Sequence, residues 1–219
     1  MIPRNPILNI SRMDLDELFE QLHFSVRVHS RHVASYTSII SEYLPEYLSL
    51  YGALNSMTFT QSIYFGGTCH DYGKLLLPIL LTDMAQYKRH PELGIELLEK
   101  LTPRTFSNEN EMNIVYDIIR FHHERPDGKG FPYSLKGSDI PVIANICAAA
   151  DWLDYQFSLT ARNCRDENKI LAWAREQSGL QFFDTVVNCL ECAWPRLIHY
   201  RDKWIGDSAK MLKNVSTPV

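Results

Sequence analysis

The chain has 219 residues, 45% apolar and 22% charged, enough for one domain with a sizeable core and ordinary for a folded globular protein. Its formal net charge of −4, histidine counted neutral, excludes a broad nucleic-acid footprint but not a small anionic substrate, because bound metal ions can add local positive charge. Five cysteines, an odd number in a chain of this size, argue against a secreted disulfide scaffold, and the lone CxxC of Cys189 and Cys192 is expected to be two buried helix residues.

The N-terminal stretch MIPRNPILNISRMDLDEL has no long apolar run after its basic residues, so no signal peptide is expected. No run approaches the roughly 20 apolar residues of a membrane helix. A cytoplasmic protein that engages neither membrane nor nucleic-acid polymer is therefore predicted.

In chain order the pattern is helical. Asp14 is placed to cap a short helix carrying Leu15, Leu18, Phe19 and Leu22. A longer helix is predicted from about Ser25 to Tyr43, with the stripe Val26, Val33, Tyr36, Ile40 and Leu44 and with Pro45 as its stop. His29 lies one turn before Val33 and shares its core-facing side. Thr58 or Thr60 opens the next helix, which runs to about His70, and Gly73 falls where helices end. LLLPILLTDM reads as an apolar loop or a short helix broken by Pro78. Pro91 suits a first helical turn, so a helix from there to Leu101 is predicted, and another from about Glu111 to Phe121.

Residues 124–141, ERPDGKGFPYSLKGSDIP, hold three Gly and three Pro in eighteen positions. Phe131, Tyr133 and Leu135 would need cover, so this reads as a structured loop rather than a linker. Asp139 and Pro141 mark the start of a helix through Ile146, Ala150 and Leu153. Two or three further helices are expected from about Asp166 to Ile205, followed by a frayed tail, SAKMLKNVSTPV. No strand run or internal repeat is found. The chain reads as one all-α domain over 1–219, with a core at about 25–160 and extra C-terminal helices at about 165–205.

Five of the eight histidines form a series: His29, the pair His70-Asp71, His90, and the pair His122-His123. Any one of them fits a satisfied core position. Burying the whole set without partners would cost several kcal/mol for each group. A shared metal centre removes that cost, because imidazole nitrogens and carboxylate oxygens become ligands. Neighbours on a helix point about 100° apart, but at a helix end His70 and Asp71 can both turn into one pocket. Lys74, three residues on, can reach an anion. The same residues also fit a plain helix C-terminus, with Gly73 as terminator and Lys74 on the last carbonyls. His122-His123-Glu124 before Asp127-Gly-Lys-Gly130 fits either a metal-bearing helix end or an ordinary surface turn. Asp151 follows the apolar run IANICAAA; most mid-helix aspartates are surface residues, but a buried unpaired carboxylate is costly, which favours ligation here.

HDYGK, LLLPILL, HPELG, HHERPDGKGFP and IPVIANICAAADWLD, in that order, resemble the HD superfamily of phosphohydrolases, and more narrowly its HD-GYP branch. The resemblance covers about His29 to Asp154. It implies an all-helical bundle with a binuclear iron or manganese site, and hydrolysis of cyclic di-GMP or a related cyclic dinucleotide by metal-activated water. It further implies that His29, His70, Asp71 and Asp151 hold one metal, and that Asp71 bridges to a second held by His90, His122 and His123. Lys74 would contact phosphate, and Asp127 and Gly130 would shape the loop beside the substrate.

The chain departs from this pattern at several positions. Gly130-Phe131-Pro132 lacks the family's tyrosine hydroxyl, Pro126 replaces a tryptophan, and His32 and Asn145 replace arginines. SLTARNCRDEN stands where the family carries an Arg-Pro-Tyr-Arg-like segment, with Arg162 or Arg165 as substitute. Ser25 stands where a third-metal glutamate would be, so two metals are expected. The ligands are complete and the recognition positions altered. Two alternatives stay open: an HD-type phosphohydrolase of other nucleotides, or a catalytically weak metal-bound signalling or adaptor module. No sensor domain is read from the sequence, so regulation is expected through a separate signalling partner.

Overall fold

The computed structural model describes residues 15–44, 56–78, 83–101, 106, 109–161 and 166–215. Its elements are α1 (Leu15–Gln21), α2 (Phe24–Ser41), α3 (Ser56–Cys69), a 3-10 turn (Tyr72–Leu76), α4 (Met84–Tyr87), α5 (His90–Leu101), α6 (Glu109–Phe121), a second 3-10 turn (Gly137–Asp139), α7 (Val142–Ala161), α8 (Glu167–Glu176) and α9 (Asp184–Val215). Among the described residues the only β feature is an isolated bridge between Ser178 and Phe182. The fold is all-α, as the sequence predicts.

α7 is the central element. Ile143, Ala144, Ile146, Cys147, Ala149, Ala150 and Leu153 are fully buried, and α2, α6, α8 and α9 pack around it. The run of alanines lets those helices approach closely, and the many fully buried apolar side chains supply the main folding drive. A second apolar cluster, with Leu18, Tyr72, Leu98 and Ile119, joins α1, α5 and α6 to the first 3-10 turn. The histidines lie between these two cores.

Several boundaries differ from the sequence reading. α2 starts at Phe24, behind His23, whose side chain accepts from the Ser25 N–H, and it ends at Ser41 rather than Tyr43. Asp14 and Pro45 lie outside the described residues. Gly73 does not terminate a helix; it sits inside the 3-10 turn. A Cβ there would lie 1.9 Å from the His90 carbonyl oxygen and 2.6 Å from the Gly94 nitrogen. The residue is glycine because two backbones touch. Gly67 plays the same role where α3 crosses α2: its Cβ would meet the Ala34 Cα at 2.7 Å.

The loop after α6 is ordered, but its aromatic residues are not all covered. Phe131 is half-buried, whereas Tyr133 is 47% exposed. The tail is not frayed from Ser208: α9 continues to Val215, with Pro195 inside it. α9 is fastened to α2 by Tyr200 donating to Ser35 at 2.8 Å and by Arg196 on Glu42 at 2.6 and 3.1 Å. Cys189 is buried but Cys192 is exposed, which corrects the expectation for that pair. No helix among the described residues is long and apolar enough to cross a membrane.

Candidate metal centre

Three element ends and two helix faces bring the expected residues together. His29 comes from the middle of α2, His70 and Asp71 from the end of α3, His90 from the first position of α5, His122 and His123 from the end of α6, and Asp151 from the inner part of α7. Helix ends suit the paired residues, since two neighbours there need not splay apart.

The side chains form two compact groups. One is His29, His70 and Asp71; the other is His90, His122 and His123; within each, the candidate donor atoms lie within 4.8 Å of one another. Asp71 stands between them. Its Oδ2 is 3.4 Å from His70 Nε2 and 3.8 Å from His29 Nε2. Its Oδ1 is 3.4 Å from His90 Nε2. Asp151 Oδ1 lies 3.1 Å from His29 Nε2, beside the first group.

Second partners fix the imidazoles. Three Nδ1–H groups donate to main-chain carbonyls: His70 to Gly67 at 2.7 Å, His90 to Tyr87 at 2.8 Å, and His122 to Ile119 at 3.0 Å. Each of these rings therefore turns a lone pair on Nε2 inward. His90 Nε2 and His122 Nε2 face each other at 3.4 Å, two lone pairs with no proton between them. His70 Nε2, His123 Nε2 and Asp71 Oδ1 are buried without a hydrogen-bond partner. Leaving such atoms unpaired costs about 1–3 kcal/mol each. Inward-facing lone pairs around a buried carboxylate fit divalent cations and little else.

Electrostatics point the same way. Burial pushes His90 down to about 4, helped by the Lys74 charge and opposed by Asp71. Burial likewise pushes His123 down to about 3. His122 lies well below its ordinary value, through burial and the neighbouring His123 and His70. All three are neutral at neutral pH, the form that binds metal. Burial would raise Asp71, but His70 and Lys74 beside it hold it well below the usual carboxylate range. His29 is different: burial would lower it, but hydrogen bonds to Asp151 and Asp154 carry it up to about 10. A cation at that nitrogen would compete with its proton.

A cavity of about 670 Å³ opens beside the cluster, lined by His29, His122, His123 and Asp151 together with residues of the loop after α6 and of the outer part of α7. Gly130 lines it. A Cβ there would come within 2.5 Å of the Arg125 nitrogen and 2.6 Å of the His123 carbonyl oxygen, so the loop folds directly onto the histidine pair. Asp127 is held by Arg125 at 2.7 and 3.0 Å and accepts from the Lys129 N–H at 3.1 Å, so it shapes the loop rather than facing the cavity. Lys74 is bonded to Asp71 at 2.5 Å and lies over the Tyr87 ring; it is not itself one of the residues that line the cavity, but its charge is felt by His123, which is. Arg162 and Arg165 lie outside the described residues.

A family model described as HD domain matches residues 26–156, more than half of the chain and the whole span of these motifs. The chain belongs to the HD domain family. Among curated relatives it is 28% identical to the 3'3'-cGAMP-specific phosphodiesterase 2 of Vibrio cholerae, over 84% of this chain and 36% of the relative. It is 26% identical to a cyclic di-GMP phosphodiesterase of the same organism, over 89% of this chain and 42% of the relative. It is 35% identical to the cyclic di-GMP phosphodiesterase response regulator RpfG of Xanthomonas campestris, over 55% of this chain and 33% of the relative. The chain thus spans less than half the length of each of these relatives.

Within this HD domain, three residues that sequence reasoning gave no role hold the site in shape. Asp154 accepts from His29 Nδ1 and His32 Nδ1, each at 2.7 Å. Its spacing from Asp151, three residues on one helix face, was the available signal. Glu124 is 1% exposed and accepts from the Tyr133 and Leu135 N–H groups at 2.7 and 2.9 Å, tying the loop to the end of α6. Asn145 donates to the Gln181 carbonyl and accepts from the Phe183 N–H, joining α7 to the turn before α9. His32 and Asn145, two of the departures from the family pattern, therefore brace the fold around the cavity. Phe131 stacks on His123 with centroids 4.4 Å apart, a contact that needs no hydroxyl.

Asp154→Ala should weaken divalent metal binding by roughly 10–100-fold, because His29 loses the partner that orients its ring. Isothermal titration of the metal-free protein with Mn²⁺ reads this directly, and an affinity within two-fold of the parent would show that Asp154 does not act through His29.

Proposed function

We propose that the chain is a metal-dependent phosphodiesterase that hydrolyses cyclic di-GMP or a related cyclic dinucleotide. Asp71 carries this reading: one buried carboxylate turns its two oxygens toward two separate histidine groups, beside a cavity of about 670 Å³. His29, His70, Asp71 and Asp151 would hold one ion, and Asp71, His90, His122 and His123 the other. The mixed imidazole and carboxylate donor set suits iron or manganese. When bound, such ions supply Lewis acidity and bring the pKa of water close to neutrality.

The chain's own residues prepare that chemistry. The Nδ1–H tethers of His70, His90 and His122 keep the rings from turning away. Lys74 adds positive charge next to Asp71 and would offset negative charge on a phosphoryl group. Gly130 and Phe131, fixed through Glu124 and Asp127, would close one side of the substrate space. The reaction adds water across one P–O bond: the water oxygen joins phosphorus, and the leaving ribose oxygen takes a proton. Small-molecule sites run from about 300 to 1,000 Å³, so the cavity has room for a nucleotide ligand. The three relatives, a 3'3'-cGAMP-specific phosphodiesterase and two cyclic di-GMP phosphodiesterases, support the same substrate class. We read residues 1–219 as one domain, with α9 bracing α2 behind His29.

The test is turnover. Protein loaded with Mn²⁺ or Fe²⁺ should linearise cyclic di-GMP or 3'3'-cGAMP, and chelation should abolish the activity. Hydrolysis of mononucleotides alone would move the chain to a different substrate class, and metal occupancy without turnover of any nucleotide would make it a binding module.

A further inference from the structure

The face of α7 that carries Asp151 continues outward as an aromatic surface. Ala148, Asp151, Trp152, Tyr155 and Ser158 all line the cavity, at spacings that put them on one side of the helix. Tyr155 follows Asp151 by four residues, about 6 Å along the helix axis. Its side chain is 61% exposed, although it lines a cavity. Trp152 is held rigidly: its ring stacks on Trp173 at 4.7 Å and 18°, with Phe182 at 5.6 Å. The other side of the cavity is charged, with Lys129 77% exposed and its Nζ 3.8 Å from Asp127. An anionic group near Asp151 would therefore have aromatic rings on the α7 side and a cation on the loop side.

We propose that Tyr155 and Trp152 form a stacking wall for a purine base of the substrate, and that they set its specificity. This rests on the phosphodiesterase reading and deepens it. Tyr155 leaves most of its ring open at the cavity rim, where a ligand rather than the core can cover it. Bases present a π face to any aromatic side chain, and the stacking is preorganised where the wall is already rigid. Trp152 supplies the rigid part of the wall and Tyr155 the open rim. The assignment also accounts for how a chain with an altered family recognition segment could still grip a nucleotide: the contact comes from α7 itself.

The test compares two substrates in Mn²⁺-loaded protein: cyclic di-GMP and ethyl p-nitrophenyl phosphate, a diester without a base. Removing one base-stacking ring costs roughly 5- to 150-fold in affinity, and an open rim position belongs at the lower end. In Tyr155→Ala the ratio of kcat/KM for cyclic di-GMP to that for the simple diester should fall about 5- to 10-fold, through KM rather than kcat. Tyr155→Phe keeps the ring and should hold the ratio within about two-fold of the parent. An unchanged ratio in Tyr155→Ala, or an equal loss on both substrates, would overturn the stacking wall and leave the phosphodiesterase reading standing. If the parent turns over neither diester, that reading fails. The wall is then read by titrating cyclic di-GMP against tryptophan fluorescence, where the same 5- to 10-fold change in Kd is expected and an unchanged Kd or absent binding overturns it.

Discussion

Asp71→Ala should reduce diester hydrolysis by at least about three orders of magnitude while leaving the helical circular dichroism signature in place. Groups that act as one unit lose most of their effect together, and Asp71 is the one group shared by both histidine clusters. Without it, His70 and His90 would face each other's sites across a gap with no anion between them. Lys74 also loses its partner, but its side chain is 27% exposed and can turn to water, so the loss of stability should be small. The assay is initial rate in excess Mn²⁺ alongside a melting curve. A parent-like rate would exclude Asp71 from the reaction, and a collapsed spectrum would mean that the carboxylate holds the fold rather than the metals.

Gly73→Ala should do its damage through the backbone. Exchanging glycine for alanine in an unstrained position stabilises a protein by about 0.4–1 kcal/mol. Here the new methyl would sit 1.9 Å from the His90 carbonyl oxygen, and no flexible side chain can move aside. Overpacking of this kind costs about 1–3 kcal/mol or more, so the clash wins. At about 2–4 °C per kcal/mol for a chain of this size, a fall in Tm of several degrees is expected. The functional effect should be larger than the thermal one. The 3-10 turn after Asp71 would be pushed away from α5, and His90 would move with α5. Titration with Mn²⁺ should therefore lose its second binding step while the first persists. Two intact steps with unchanged Tm would mean that the contact relaxes without cost.

The metal-ligand candidates were legible in the sequence because their chemistry is rare. Five histidines and two aspartates at helix ends and on apolar faces have few physical solutions, and Pro91 marked the start of the helix that presents His90. The apolar run before Asp151 announced a buried helix, and α7 is one. Residues whose role depends on distant partners were not legible. Asp154 looks like any aspartate until His29 and His32, more than a hundred residues away, turn toward it. Glu124 reads as part of a polar turn, and only the folded loop shows it holding two main-chain N–H groups. Gly73 invites the wrong explanation, because local reasoning sees a helix terminator where the cause is contact with α5. Tyr155 gives no local signal either; its place on the cavity rim follows from how the loop after α6 lies against α7.

The proposed chemistry requires two ions side by side around one carboxylate, Asp71. The most direct measurement is metal content by mass spectrometry after reconstitution with Mn²⁺ and removal of free ion, paired with electron paramagnetic resonance of the same sample. Two manganese ions per chain with an exchange-coupled signal is the expected result. One ion per chain, or two that show no magnetic coupling, would contradict a shared centre at Asp71.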